Sequence, residues 1–260
     1  MTGQDHHVHD ATTRPVRRRR WRWIGADLAA ASVALAVVTS VTGWLFELPA
    51  AYFVASGSLC LGLAVALWFF SSVAPSGLCG PGFGAANRVT LGRATLVLPV
   101  CALVVHPAVL SGAASWWVIG LSTIALLLDG VDGFVARRTG TATPFGARFD
   151  MELDAFLMLG LSMLVWLSGA VGAWVLLIGT LRYLFVLAGW IWPALRGELA
   201  PSRRRKTICV VEGIALLVCL GPVVPTIVIG PVAAGALALL VYSFVTDVWR
   251  LLRTRSVIIC

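Results

Sequence analysis

The sequence predicts an all-α polytopic membrane protein of about eight transmembrane helices, and three observations carry that prediction. Of its 260 residues, 59% are hydrophobic and 12% are charged, whereas soluble domains carry about 25% charged residues. The mean hydropathy is +0.90, and so few charged groups could not coat a globule in water. The apolar residues also fall into runs close to the ~20 residues that cross a hydrocarbon core.

The runs divide the chain in order. The first covers 24–45. The second covers 50–73 and ends at the Pro/Gly-rich stretch beginning with Pro75, where proline and glycine punctuate helices. Four more follow over 87–105, 114–137, 146–167 and 172–195. The short seventh, 207–220, meets Gly221-Pro222, and the eighth covers 224–251. Residues 1–23 are polar and basic and predict a disordered cytoplasmic tail, 24–74 an accessory hairpin, 75–86 a linker, 87–251 the working core and 252–260 a second tail.

The charge balance supports this division. The 20 Lys and Arg exceed the 12 Asp and Glu, giving a net charge of +8. With the N-terminus in the cytoplasm, the basic clusters at Arg17–Arg20, Arg137-Arg138, Arg203–Lys206 and Arg250–Arg255 all fall on one side, as the positive-inside rule requires. The surplus therefore marks topology and attraction to anionic lipid headgroups, not a nucleic-acid partner. The expected location is the cell membrane, multi-pass, with both termini and the active site cytoplasmic. The six cysteines form no C-x-x-C pair and point to neither a disulfide framework nor zinc.

Carboxylates at helix depth are costly and need a reason. Four cluster at the junction of the fourth and fifth spans: Asp129, Asp132, Asp150 and Asp154. At about 100° per residue, Asp129, Asp132, Gly133, Ala136 and Arg137 share one side of their helix, while Gly146, Asp150 and Asp154 line one stripe of the next. A short turn through Gly140 and Pro144 makes the two helices antiparallel neighbours. The converging charges repel unless cations neutralise them. All-oxygen ligands suit Mg²⁺ or Mn²⁺, and four Asp suffice for two ions. Small residues leave room for a bulky group against the backbone, and Arg137 supplies a forked donor for phosphate.

Asp129-x2-Asp132-Gly133-x2-Ala136-Arg137-x8-Gly146-x3-Asp150-x3-Asp154 resembles the signature of the CDP-alcohol phosphatidyltransferase family (class I), with every position filled. The resemblance implies a six-helix CDP-alcohol phosphotransferase core after the two-helix hairpin. It implies a metal-dependent transferase of phospholipid biosynthesis that moves a phosphatidyl-type group from a CDP-linked lipid donor, CDP-diacylglycerol, to an alcohol acceptor and releases CMP. It further implies two divalent cations, Mg²⁺ or Mn²⁺, held by the four aspartates, with Asp154 also the general base, and a homodimer. By the same resemblance Asn87, Arg88 and Thr90 belong to an Asn-x-x-Thr element that contacts the nucleotide, completed by Gly133, Ala136, Arg137, Thr143 and Gly146.

The residues leave alternatives open. Arg88 and Arg93 fit lipid-headgroup anchoring as well as phosphate contact. Arg148, Arg182, Arg205 and Lys206 are candidates for acceptor or phosphate binding, and Arg182 could instead pair with Glu212. Ala155 and Phe156 follow Asp154, where many relatives that use phosphorylated acceptors carry a basic residue. A soluble CDP-alcohol could also donate its head group to diacylglycerol. A transporter, or an inactive scaffold with a metal site, is the reading from a different class, but a transport path would spread its carboxylates through the membrane depth.

Overall fold

The computed structural model describes residues 8–73, 85–139, 143–192 and 203–256. These form eight helices: α1 (Val8–Leu45), α2 (Ala50–Val73), α3 (Ala85–Ala102), α4 (Ala113–Thr139), α5 (Pro144–Leu167), α6 (Leu176–Ile191), α7 (Arg203–Cys219) and α8 (Thr226–Ser256). Among the described residues there is no strand. Among the described residues, six stretches are long and apolar enough to cross a membrane: Gly25–Leu45, Ala50–Leu67, Asn87–Val105, Ala113–Val131, Ala173–Ile191 and Thr226–Trp249. α5 falls short because Arg148, Asp150, Glu152 and Asp154 crowd its first half, and α7 because it has 17 residues. Broadly exposed Trp44, Leu61, Trp190 and Ile227 are what a lipid-facing surface requires.

Several boundaries differ from the sequence expectation. α1 begins at Val8, so residues 8–23 are helical where a disordered tail is predicted. Extending a nucleated helix adds one hydrogen bond per ordered residue, and Arg is a good helix former. α6 stops at Ile191 because Trp192, at φ −113° and ψ 101°, is extended, the conformation favoured before a proline such as Pro193. α7 starts at Arg203, ahead of the expected 207, and α8 runs to Ser256, into the expected second tail. Of the predicted linker, residues 75–84 lie outside the described residues.

The chain divides into two compact units, Met1–Ala102 with Leu127–Leu153, and Leu103–Leu126 with Asp154–Cys260. In the first, α1 and α2 pack on each other and both pack on α3. Their connection is tight: Glu47 takes a φ of 50°, and Leu48 N–H donates to Gly43 O at 3.0 Å. Gly43 lacks a side chain where the Phe53 ring lies against α1. The hydroxyls of Thr39 and Ser56 pair at 2.9 Å between the two helices, satisfying polar groups that lipid could not. A core of Leu67, Leu91, Phe145 and Phe149, edged by Leu28, Ala31 and Leu63, then fixes the start of α5 against the first three helices.

In the second unit, α8 packs against α6 and α7. Gly179 lies so close to α5 that a Cβ would strike the Leu159 backbone, the close approach that small residues permit between membrane helices. The rings of Phe185 and Phe244 stand 5.3 Å apart. The junction at Gly221-Pro222 is a turn, with Val224 N–H donating to Gly221 O at 3.1 Å.

Candidate active site

The site is built on α3 and the first turns of α5. Asn87, Thr90 and Arg93 recur at a spacing of three, which places them on one helix face, and all three are buried while Arg88 is exposed. Thr143 starts α5 as its N-cap, its Oγ1 accepting from Gly146 N–H at 3.0 Å. Pro144 follows at the first helical position, where its missing N–H costs nothing. Phe145 and Phe149 turn into the core, so Gly146 and Asp150, one residue on from each, are rotated about 100° away from it. Gly146 meets the Asn87 side chain there. The floor expected at Gly146 for a bulky ligand is thus taken by Asn87 Oδ1 and Thr143 Oγ1.

Arg93 faces the carboxylates. Its Nη1 donates to Asp129 Oδ1 on α4 at 3.3 Å and to Asp150 Oδ1 on α5, with the arginine side chain fully buried. Asp154 follows one turn after Asp150 on the same unbroken helix, so its place beside Asp150 is set by α5 itself. One oxygen each from Asp129, Asp150 and Asp154 lies within 4.8 Å of the others. Three carboxylates supply only hard oxygen donors, which fits a divalent ion such as Mg²⁺ or Mn²⁺.

Asp132, Gly133, Ala136 and Arg137 lie on the last turns of helical α4, but their side chains fall outside the described residues. Arg88 Nε pairs with Asp27 of α1 at 3.0 Å. Arg148 is exposed at the start of α5. In the second unit, Arg182 is half-buried on α6, Arg205 is half-buried on α7 and Lys206 is exposed. Glu212 is buried on α7, and its Oε1 has no hydrogen-bond partner among the described residues. The pairing with Arg182 is therefore not made through that oxygen.

Arg93, Asp27 and Asp247 escaped the sequence reading as partners. Asp247 is buried on α8 and holds Arg204 at 2.5 Å and Arg205 at 3.9 Å. Its signal was present, since a carboxylate inside an apolar run needs a partner. That of Arg93 was its spacing from Asn87 and Thr90.

A human protein, Ethanolaminephosphotransferase 1, is 37% identical over 83 residues, an overlap covering 29% of this chain and 21% of that protein. The chain thus spans 21% of that relative's length. No solved structure matches. Residues 83–249 match the family model of CDP-alcohol phosphatidyltransferase, a stretch that contains Asn87, Thr90, Arg93 and all four clustered aspartates, and the chain belongs to that family.

Proposed function

We propose that this protein transfers a phosphatidyl-type group from CDP-diacylglycerol to an alcohol acceptor and releases CMP, as a step of phospholipid biosynthesis. The observation that carries the reading is the convergence of Asp129, Asp150 and Asp154 within 4.8 Å. With Asp132 they form the ligand set for two divalent cations. When bound, these ions offset the charge that develops on the diphosphate as CMP leaves.

The chain's own residues divide the remaining work. Asp154 takes the proton of the acceptor hydroxyl, whose oxygen forms a bond to the phosphatidyl phosphorus as the bond from that phosphorus to the CMP oxygen breaks. Asn87 and Thr90 contact the cytidine nucleotide, and Thr143 and Gly146 serve by seating Asn87. Gly133, Ala136 and Arg137 complete the pocket, with Arg137 on phosphate oxygens. Arg88, Arg148, Arg182, Arg205 and Lys206 are the candidates for further phosphate or acceptor contact. The basic clusters support a site and termini on the cytoplasmic side. The protein acts as a homodimer by resemblance to its family.

A second reading draws on the similarity to Ethanolaminephosphotransferase 1: a soluble CDP-alcohol donates its phosphorylated head group to diacylglycerol. Ala155 and Phe156 after Asp154 suit an acceptor without a phosphate. Purified protein in detergent with Mn²⁺ or Mg²⁺ separates the two. CMP release from CDP-diacylglycerol with a panel of labelled alcohols supports the first reading, and release from CDP-ethanolamine with diacylglycerol supports the second. No CMP from either arm refutes the enzyme reading.

A further inference from the structure

Arg93 is the largest fully buried side chain among the described residues. A guanidinium is expensive to bury unless anions pair with it. Here a single nitrogen, Nη1, serves two carboxylates from different helices, Asp129 Oδ1 on α4 and Asp150 Oδ1 on α5. These are also two of the three carboxylates whose oxygens lie close enough together to hold a metal ion. Without a cation between them they repel. With Arg93 present, one positive charge already occupies the ground that a divalent ion needs.

We propose that Arg93 is a positioning residue acting as a resident counter-cation. It holds Asp129 and Asp150 converged while no ion is bound and yields their oxygens when a divalent ion takes them. The inference rests on the reading of these aspartates as metal ligands. An arginine that merely braces the fold stabilises the ion-free and ion-loaded protein alike. One that trades places with the ion does not: by linkage, its removal tightens ion binding by the factor by which ion binding weakens its own pairing.

Mn²⁺ binding to the full-length protein in detergent, followed by electron paramagnetic resonance, tests this without turnover. Arg93→Gln should lower the Mn²⁺ dissociation constant by about tenfold, while Arg93→Lys, which keeps the charge, stays within about threefold of the wild type. The Gln variant should also lose more Tm in EDTA than in saturating Mn²⁺. A Gln variant that folds but binds Mn²⁺ no more tightly overturns the proposal. If that variant does not fold, ¹⁵N-arginine spectra of the wild type decide: Mg²⁺ should shift the Arg93 Nη signal, identified by its loss in Arg93→Lys, and an unmoved signal overturns the proposal. A wild type that binds no Mn²⁺ refutes the metal reading and this inference together. Metal binding that Arg93→Gln leaves unchanged refutes only the role of Arg93.

Discussion

Arg204 Nη2 on α7 donates to Asp247 Oδ1 on α8 at 2.5 Å, and the Asp247 side chain is only 8% exposed. The more exposed Arg205 stands 3.9 Å from the other oxygen. Breaking a buried pair strands a charge, so Asp247→Ala should lower stability by about 3 kcal/mol. Arg205→Ala should cost less than about 1 kcal/mol. Unfolding of the detergent-solubilised variants compares them, and a loss in Arg205→Ala equal to that in Asp247→Ala would show that the more exposed arginine carries the pairing.

Gly146 offers a second test, because a Cβ there would strike Asn87 Oδ1 and approach Thr143 Oγ1 at 3.2 Å. Gly146→Ala should cost about 1–3 kcal/mol through overpacking and should reduce CMP release. Removing the obstacle in Asn87→Ala/Gly146→Ala should recover part of the stability but not the activity. A double mutant no more stable than Gly146→Ala would show that the Asn87 contact is not what limits the site.

The N-cap of α5 is tested by stability alone. Thr143→Ala removes the acceptor for Gly146 N–H and should cost about 1 kcal/mol, while Thr143→Ser retains most of the cap. Thermal melts of the pair measure it, and a Ser variant as unstable as the Ala variant would contradict the capping role.

For Asp154, the expected outcome is a loss of turnover with metal binding retained. Asp154→Asn should slow CMP release by about 10²–10⁴-fold while still binding Mn²⁺. EDTA should stop the wild type, and Mg²⁺ or Mn²⁺ should restore it. A wild-type rate in Asp154→Asn would take this residue out of the proton-accepting role.

The membrane class, the helices and the convergence of Asp129, Asp150 and Asp154 were legible because each leaves a local mark: an apolar run, a Pro/Gly break, a carboxylate where none is cheap. The partners of Arg93 and Asp247 were not. An ion pair between helices depends on which faces meet, and Arg204 is 43 residues from Asp247. Asn87, Thr90 and Arg93 shared a face in the sequence, but nothing in α3 says that α5 lies against it. The helical start of α1 was hidden because Arg-rich polarity looks alike in a tail and in the solvated end of a helix. The early stop of α6 was visible in Trp192-Pro193, yet the apolar run through Ile191 and Trp192 masked it.

The shared core of Leu67, Leu91, Phe145 and Phe149 ties the fate of the hairpin to that of α5. The same helix that turns Phe149 inward presents Asp150 to Arg93, so a packing fault at Leu67 becomes an angular error at a carboxylate. The hairpin is therefore not an interchangeable leader. Grafting one from a relative onto this chain would call for matched replacements at Phe145 and Phe149, and substitutions in the two segments should be inherited as sets.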